Sequence, residues 1–490
     1  MHILPILLII LFAAPTLAIL LTMLTRHPRV AEWASVLASI VDFIVSIPIL
    51  ICAWNGPYIY IDRYIRLDLL GAWVILCVAV VYMLSSIYAV GYMRLLKEDD
   101  RLPVFYALFS GFALTMLLAC VMNNAGVYWI TIELTTLVST FLVGFEQEAE
   151  STEAAWKYIV VVSAGLALSL LGTVFFYWGG TFVVGPSYAM TWDVLRQNAP
   201  HVSPPLLVVA FLLVLVGYGT KAGLAPMHTW LPDAHSESPA PVSAMLSGAL
   251  LNTAIAGIAR YLGVVNNTSV RFFAHSAVVA FGIFSFAIAA FFILRQKGIK
   301  RLMAYSSVEH ISVQAMGFGF GGVFGVAGAL YHMINHSLNK SLMFFGAGNA
   351  MRGYGTKEIA NIRGVLKASP VSGMLWLLGA VGIAGAPPFA LFLSEYTVLR
   401  AGVHGPYLWA AILFMLLLIV IFIGFLAHFR AMYFDPSPAA EELPRLGYVV
   451  WRVLPMWLAF VPLLVMGLWW PHIFWEIFGR ISQALWGGAQ

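Results

Sequence analysis

Six ionisable residues lie within long apolar stretches of the 490-residue sequence. They are Glu133, Lys221, His332, His336, Lys340 and Glu395. A charged side chain at the centre of a membrane helix costs about 2.5–3.5 kcal/mol on insertion scales, so such residues persist mainly where they face a bundle interior or water. Their types are those that bind and release protons. We therefore predict that they form a proton relay.

The strongest pattern is the recurrence of His332, His336 and Lys340 at every fourth residue. In a helix this spacing keeps three titratable groups on one face, rising by about 6 Å per step. A relay needs groups this close, so that protons pass between them through one or two waters. A structural support would not need three titratable groups in series.

A buried lysine and glutamate can also move a proton as a pair. Burial disfavours the charge on both groups, whereas pairing favours it. If the glutamate moves toward the lysine and away from it again, the lysine can therefore bind and release a proton. Glu133 and Lys221 fit this interpretation, although one such pair can also be a structural support.

The composition places the chain in a membrane. Hydrophobic residues make up 61% of it and charged residues only 10%, against about a quarter charged in soluble domains. The net charge of +4 is spread along the chain, which argues against nucleic acid as a partner. Cys52, Cys77 and Cys120 have neither disulfide nor iron–sulfur spacing. We expect no catalytic residue, metal or cofactor in this chain, with any electron transfer in another subunit.

Windows of about 20 apolar residues mark candidate membrane spans. The fourteen spans predicted in this way are 3–25, 33–53, 69–92, 103–122, 125–145, 156–179, 205–225, 241–262, 271–294, 301–319, 322–349, 370–400, 406–430 and 449–471. The first lacks the basic start and small-residue cleavage site of a signal peptide, so we keep it as a helix. No connection is long enough for a soluble domain. The fold class is an all-α polytopic membrane protein.

Basic residues in the loops predict the orientation. Most of them, including Lys97 and Arg445, fall in the odd-numbered loops. This places those loops in the cytoplasm and both termini on the outer, periplasmic side of a bacterial inner membrane.

Two spans contain helix-breaking sequences. The seventh runs into Lys221–Pro226, and the twelfth contains Gly385–Phe389. Proline removes a backbone donor and frees a carbonyl group, which must be satisfied by water or neighbours inside a membrane. Interrupted helices in two halves of a chain point to an internal repeat with an ion site at its interface. The predicted units are 1–100 with three spans, 101–265 and 266–432 with five each, and 433–490 with one span and a tail.

Other polar residues have weaker interpretations. His228 and His235 flank a short turn after the seventh span and are either structural or entrance residues. Glu309 and His310 are expected near the start of the tenth span, where they cap it or feed protons inward. Asp42 lies in the second span, outside the repeat, and is interpreted as peripheral.

Several motifs resemble one family. Gly219–His235, which reads GTKAGLAPMHTWLPDAH, resembles the signature of the antiporter-like subunits of respiratory complex I. Relatives of these subunits occur in membrane-bound hydrogenases and multisubunit Na⁺/H⁺ antiporters. The resemblance continues through Lys300–Ser307, His332–Lys340 and Ser394-Glu395, and it covers about residues 100–430. Ser307–His310 and Pro387–Glu395 look most like the F component of hydrogenase-4.

The resemblance implies fourteen helices with two inverted five-helix repeats, and it implies roles for single residues. Glu133 would pair with Lys221, and Glu395 would be the exit residue. His332, His336 and Lys340 would form the central axis. One position departs from the pattern, because Asn252 stands where many members carry a lysine in the eighth helix. Asparagine cannot titrate, so the central link would run through water, His310 or Lys340.

The leading hypothesis is a proton-translocating subunit of a complex-I-like oxidoreductase, of the hydrogenase-4 or formate hydrogenlyase type. Its partners would be the lipid bilayer, other membrane subunits, and peripheral nickel–iron and iron–sulfur proteins, as the resemblance implies. One alternative is a subunit of a stand-alone cation/proton antiporter or an ion-coupled bicarbonate-uptake complex. Another is a structural membrane anchor, for which Asn252 is the best support.

Overall fold

The computed structural model of the chain describes residues 3–61, 63–96, 99–435, 447 and 449–486. Lys97 and Arg445, which contributed to the predicted orientation, lie outside the described residues. The described part is a helical bundle with one small hairpin. Its helices are α1 (Ile3–Thr25), α2 (Pro28–Ala53), α3 (Leu69–Met93), α4 (Leu102–Val121), α5 (Ala125–Val143), α6 (Ala149–Val184), α7 (Trp192–Asn198), α8 (Pro204–Ala222), α9 (Trp230–Glu237), α10 (Ala240–Met245), α11 (Leu251–Val265), α12 (Arg271–Leu294), α13 (Ile299–Phe320), α14 (Gly322–Tyr354), α15 (Val365–Ala368), α16 (Pro370–Ile383), α17 (Ala390–His404), α18 (Leu408–Phe434), α19 (Val449–Leu468) and α20 (His472–Trp486).

Eleven helical segments of the described chain are long and apolar enough to cross a membrane. They correspond to predicted spans 1–9, 13 and 14, which confirms a multi-pass membrane protein. Predicted spans 10 and 11 coincide with α13 and α14, which are long but carry several polar side chains. Span 12 coincides with α16 and α17, of 14 and 15 residues. The total of fourteen therefore stays a prediction.

One of the two most polar long helices, α14, lies inside the bundle. Residues 325–350 of α14 are all buried, and this helix packs against α3, α10, α13, α16, α17, α19 and α20. The surfaces of α1, α6 and α18 instead expose large apolar side chains such as Leu24, Phe182 and Leu426. This arrangement follows from the solvent, because lipid accepts apolar surface whereas polar groups must find partners within the protein.

The predicted break in the seventh span is confirmed. Helix α8 ends at Ala222, and Gly223 adopts the left-handed conformation with a φ of 84°. Neighbouring side chains satisfy the backbone groups that the break leaves free. The Trp230 indole donates to the Thr220 carbonyl at 2.8 Å, and the Ala225 N–H donates to the Ser285 hydroxyl at 2.8 Å.

The predicted break in the twelfth span is also confirmed. Helix α16 ends at Ile383, and α17 begins at Ala390. Helix α14 supplies partners on both sides of this break. Asn339 donates to the Gly379 carbonyl at 3.1 Å, and Asn335 donates to the Ala390 carbonyl at 3.2 Å.

A π-helical turn at Leu246–Leu250 joins α10 to α11 and was not predicted. Such turns interrupt the regular helical bonding and are frequent at functional sites. Here the turn presents carbonyl groups to α14. The Ser247 carbonyl lies 3.1 Å from His336 Nε2, and the Gly248 carbonyl accepts from the Ser337 hydroxyl at 2.6 Å.

Two further elements were missed by the sequence analysis. Strands β1 (Tyr58–Tyr60) and β2 (Ile65–Leu67) form an antiparallel hairpin before α3. The segment interpreted as a tail contains the amphipathic helix α20, whose Phe474 and Phe478 rings pack edge-on against Trp73 at 5.1 and 4.8 Å. This helix covers one end of the bundle.

Candidate functional site

Lys221 occupies the last turn of α8 and is completely buried. Its ammonium group donates to the Thr136 hydroxyl on α5 and to the Tyr158 hydroxyl on α6, both at 2.8 Å. The Tyr158 oxygen lies 2.7 Å from the Ser139 hydroxyl. Neutral hydroxyl groups from two helices therefore surround the lysine, which removes much of the cost of burying a polar group.

Glu133 lies on α5, one turn before Thr136, and is partly buried. Its Oε1 accepts from the Ser163 hydroxyl at 2.6 Å. Glu133 and Lys221 form no direct ion pair in the described part of the chain, although the resemblance implies one. Lys221 interacts electrostatically with Glu133, but the glutamate is held by Ser163 rather than by the lysine.

His235 lies between the lysine of α8 and that of α14. An aromatic series leads to it, with Tyr158 and Trp230 ring centres 4.8 Å apart and Trp230 and His235 ring centres 6.2 Å apart. The His235 ring is completely buried, and neither of its nitrogens has a hydrogen-bond partner among the described residues. It interacts electrostatically with Lys340 and Lys300. His235 therefore contacts the aromatic series that begins at Tyr158 and also interacts with the lysine of α14.

His228 does not join this series. It lies in the turn between α8 and α9, and its ring packs near Tyr305 with 6.1 Å between ring centres. The side chain is buried. Its position beside the first helix break agrees with either of the roles predicted for it.

Lys340 and His336 lie on one face of α14, as predicted, and both are fully buried. The Lys340 ammonium donates to the Met303 carbonyl at 3.1 Å and to the Ser306 hydroxyl of α13. His336 contacts the carbonyl of Ser247 in the π turn. As at Lys221, the partners of the cation are neutral oxygens.

His310 and His332 form the closest contact between predicted relay residues. His310 Nδ1 lies 3.0 Å from His332 Nε2, so the two rings share a hydrogen bond. The other nitrogen of His332 lies 2.9 Å from the Ser394 hydroxyl, and His310 Nδ1 lies 3.9 Å from Glu395 Oε1. These contacts join α13, α14 and α17 through buried titratable groups.

The predicted position of Glu309 and His310 near the start of the tenth span was wrong. Both residues lie in the middle of α13 and are buried, so they cannot cap the helix. Neither Glu309 carboxylate oxygen has a hydrogen-bond partner among the described residues. Glu309 interacts electrostatically with Glu395 and Lys340, which places it beside the axis.

Asn252 lies on α11 with its side-chain amide fully engaged. It donates to the Gly248 carbonyl at 3.0 Å and to the Ser337 hydroxyl at 2.9 Å, and it accepts from Gln314 at 3.1 Å. The amide therefore links α11 to α13 and α14. The sequence analysis named water, His310 and Lys340 as links that could replace a titratable residue at position 252. Of these, His310 contacts the His332 imidazole directly.

One trio offers donor atoms that could hold a metal ion. His310, His332 and Glu395 each supply one such atom, and these atoms all lie within 4.8 Å of one another. Structural zinc sites use four protein ligands, whereas the described residues offer three here. The two imidazole nitrogens already share a hydrogen bond, which is the arrangement that passes a proton between rings.

Glu395 also borders a pocket at the side of the bundle. The pocket measures about 260 Å³ and lies between α17 and α18, with Gly385 and Tyr396 in its lining. Because Tyr396 is more than half exposed, the pocket reaches the outer surface. The carboxylate thus lies where the axis approaches the protein exterior.

Several residues of the site were missed by the sequence analysis. Four of them hold ionisable groups, namely Thr136, Tyr158, Ser163 and Ser306. The fifth, Gln314, donates to Asn252. Their shared signal is a polar side chain inside an apolar span. Only Thr136, one turn from Glu133, could have been connected to the relay by local spacing.

Buried ionisable side chains inside a multi-pass helical bundle are what the resemblance to the antiporter-like subunits implies. Residues 122–424 match the family described as NADH:quinone oxidoreductase/Mrp antiporter, TM. The chain belongs to this family, which confirms the resemblance found in its motifs.

Relatives of known sequence include hydrogenase components. The chain is 34% identical over 393 residues to the hydrogenase-4 component F homolog of Methylacidiphilum infernorum, covering 79% of this chain and 82% of that protein. It is 29% identical to hydrogenase-4 component B of Escherichia coli over 71% of its own length, which is 52% of the relative. The chain thus spans about half of this second relative.

Solved structures share the fold across nearly the whole chain. A chain of the membrane-bound sulfane sulfur reductase, an archaeal respiratory membrane complex, aligns with a TM-score of 0.88 at 21% identity and covers 98% of both chains. A chain of the Mrp complex from Dietzia sp. DQ12-45-1b aligns with a TM-score of 0.85 at 17% identity, covering 99% of this chain and 98% of that one.

Proposed function

We propose that the chain is the proton-translocating membrane subunit of a complex-I-like oxidoreductase of the group 4 hydrogenase type, either a hydrogenase-4 or a formate hydrogenlyase assembly. The observation that carries this proposal is the His310–His332 hydrogen bond, which lies between Lys340 and Glu395 in the bundle interior. The hydrogenase-4 relatives support the type of complex.

Proton movement would begin with a change in the distance between Glu133 and Lys221. A nearby carboxylate stabilises the charged lysine, and its withdrawal favours release of the proton. In the observed arrangement Glu133 is held by Ser163, while neutral hydroxyl groups hold Lys221. This corresponds to the separated state of the pair.

Release of the proton from Lys221 would then change the electrostatic potential at the second repeat through His235. This residue lies between Lys221 and Lys340 and has unsatisfied ring nitrogens among the described residues. Protons would pass among Lys340, His336, His332 and His310 and leave at Glu395. Asn252 would hold the helices in place without carrying a proton.

The proposal includes the arrangement of the chain in the membrane. We propose fourteen spans with inverted five-helix repeats at 101–265 and 266–432, flanked by the three spans of 1–100 and by 433–490. Both termini would lie on the outer side of a bacterial inner membrane. The breaks after Ala222 and Ile383, one in each repeat, support this assignment.

The partners would supply the driving reaction. We propose that other membrane subunits adjoin the chain and that peripheral nickel–iron and iron–sulfur subunits perform the redox chemistry. The relatives named as hydrogenase-4 components and the similar chains in multisubunit respiratory complexes support these partners.

A subunit of a stand-alone cation/proton antiporter is the second candidate, because the fold matches a chain of the Mrp complex. Purification of the intact complex from the membrane separates the two. Co-purifying nickel–iron and iron–sulfur proteins would support the hydrogenase assignment. Small membrane subunits without any redox protein would support the antiporter.

Replacement of Lys221 by methionine tests the relay. In the complete complex, reconstituted in vesicles, we expect Lys221→Met to abolish coupled proton movement while the subunits still assemble. The matched control is Lys157→Met, which removes a half-exposed lysine paired with Glu153 on the bundle surface. Wild-type pumping by the Lys221 variant would refute the relay.

A further inference from the structure

A second buried polar row runs along α2, outside the axis described above. Glu32, Ser35, Ser39, Asp42 and Ser46 follow one another at intervals of three or four residues, and each is at most 1% exposed. This spacing places all five on one face of the helix. Helix α2 packs against α1, α3 and α4 in the first unit of the chain.

The row begins at a charged group near one end of α2. Glu32 Oε1 accepts from Arg94 Nε at 2.9 Å, and Arg29 lies 3.8 Å from the same carboxylate. The buried Tyr106 hydroxyl on α4 interacts electrostatically with Glu32 and has no hydrogen-bond partner among the described residues. This end lies on the side of the basic loops, which are predicted to face the cytoplasm.

Hydroxyl groups continue the row toward the middle of the helix. The Tyr82 hydroxyl on α3 donates to the Ser110 hydroxyl on α4 at 2.8 Å. Ser110 in turn donates to the Ser35 hydroxyl on α2 at 3.3 Å. Tyr82 also interacts electrostatically with Asp42. Three helices therefore contribute hydroxyl groups between the charged end and Asp42, of which Tyr82, Ser110 and Ser35 are joined by hydrogen bonds. The Ser39 and Ser46 hydroxyls donate to the Val36 and Phe43 carbonyls of their own helix.

Asp42 ends this series near the midpoint of α2. Its side chain is completely buried, and neither carboxylate oxygen has a hydrogen-bond partner or an ion-pair partner among the described residues. An isolated carboxylate in an apolar interior is very costly, and binding a proton removes that cost. On α3, the buried hydroxyls of Ser85 and Ser86 also lack partners within the described chain.

We propose that α2, α3 and α4 form a second proton path, a half-channel that runs from the Glu32–Arg94 pair to Asp42. Asp42 would bind one proton per passage as a neutral carboxylic acid and release it as a carboxylate, while the hydroxyl groups pass protons along the row. Tyr82 faces Asp42 from α3, Tyr106 lies nearer Glu32 on α4, and α1 contributes no ionisable side chain.

The path goes beyond the function proposed above, because it contains none of the axis residues. The unpartnered polar atoms of the path need hydrogen-bond partners. In other buried polar sites, ordered water molecules supply such partners. The simpler alternative is an Asp42 that stays protonated and only packs. A proton path and a permanently protonated Asp42 differ in whether the Asp42 proton exchanges with solvent.

Infrared difference spectroscopy on the complete complex in lipid vesicles tests this directly. We expect the difference between the wild-type and Asp42→Asn spectra to isolate one carbonyl band of a protonated carboxylic acid, which changes with pH and shifts in D₂O. The bands of the other buried carboxyl groups, Glu309 and Glu395, remain in both spectra. Asp99→Asn, which removes an exposed acid, should leave that band unchanged. Tyr82→Phe should slow the D₂O shift of the band, because it removes the hydroxyl between Ser110 and Asp42.

Two results would overturn the proposal. One is an Asp42 band that neither changes with pH nor shifts in D₂O, which would mark a permanently protonated structural acid. The other is a set of carboxylic acid bands in Asp42→Asn that is identical to that of the wild type. If Asp42→Asn fails to assemble, unaltered exchange in Tyr82→Phe would serve as the second result. A wild-type complex that moves no protons would refute the function proposed above, while the Asp42 exchange measurement would still stand.

Discussion

Neutral oxygens, rather than opposite charges, hold the two completely buried lysines, Lys221 and Lys340. Lys221 is surrounded by the hydroxyl groups of Thr136 and Tyr158, and Lys340 by Ser306 and the Met303 carbonyl. A buried ion pair would hold both charges in place, because breaking it leaves an uncompensated ion. Hydroxyl and carbonyl dipoles stabilise the ammonium without that penalty, which agrees with the proton exchange proposed for these lysines.

Asn252 allows a prediction at the scale of one residue. Asn252→Leu would leave the Gln314 amide nitrogen without its partner, and the Ser337 hydroxyl would lose the Asn252 donor and keep its bond to the Gly248 carbonyl. An unsatisfied buried polar group costs roughly 1–3 kcal/mol, so we expect a lower thermal unfolding temperature in detergent. Asn267→Leu changes an exposed asparagine next to α11 and should unfold like the wild type. Equal unfolding temperatures for the two variants would contradict the structural role.

Helix packing sets the position of Lys221 at the scale of elements. Helices α6 and α8 approach closely because glycine and serine line their contact, as is common between membrane helices. A β-carbon at Gly217 would lie 2.5 Å from the Ser169 backbone nitrogen and 2.7 Å from the Gly165 carbonyl oxygen. Lys221 follows one turn later on the same face, so this contact determines how near the lysine lies to Tyr158.

The variant Gly217→Ala tests this dependence. The added methyl group would push α6 and α8 apart, and overpacking of this kind costs about 1–3 kcal/mol. We expect lower thermal stability and slower proton movement in vesicles, because the contacts of Lys221 with α6 lengthen. Gly353→Ala is the control, since a β-carbon there meets no atom within 4 Å. Unchanged pumping and stability in Gly217→Ala would show that the helices do not need this close approach.

At the scale of the whole molecule, one carboxylate joins elements that are distant in sequence. Asp68 caps α3 by accepting from the Gly71 N–H at 2.8 Å, and it accepts from both terminal nitrogens of Arg260 on α11 at 2.7 and 3.0 Å. Arg66 on β2 donates to it at 3.1 Å. The hairpin, α3 and α11 are thereby tied together at one end of the bundle.

This cluster predicts a pH dependence of stability. Burial raises the pKa of Asp68, but Arg260, Arg66 and the Gly71 N–H outweigh it and hold that pKa well below its ordinary value. An aspartate whose pKa is lower in the folded state than in the unfolded state adds stability to the fold. This stability is fully present above the unfolded-state pKa of about 3.9, and it is lost as the pH falls toward the folded-state pKa. We expect the wild type to lose more thermal stability than Asp68→Asn between about pH 5 and pH 3. Parallel losses would contradict the prediction.

Much of the architecture could be predicted from local patterns. The apolar windows located nine consecutive spans and the last two, and proline and glycine marked both helix breaks. The spacing of His332, His336 and Lys340 placed them on one buried face of α14. These features depend on the bilayer thickness and the helical repeat. Both relate residues that are close together in the sequence, so the order of the residues is enough to predict them.

Contacts between distant residues required the tertiary structure. Only packing brings Tyr158 to Lys221, Ser163 to Glu133, and the middle of α13 to His332. The π turn, the hairpin and α20 likewise form where neighbouring helices supply hydrogen bonds or apolar cover. The sequence by itself determined which ionisable groups enter the membrane, because composition decides that cost. The fold decided which oxygen or ring contacts each ionisable group, because partners that are far apart in the chain meet only when the helices pack.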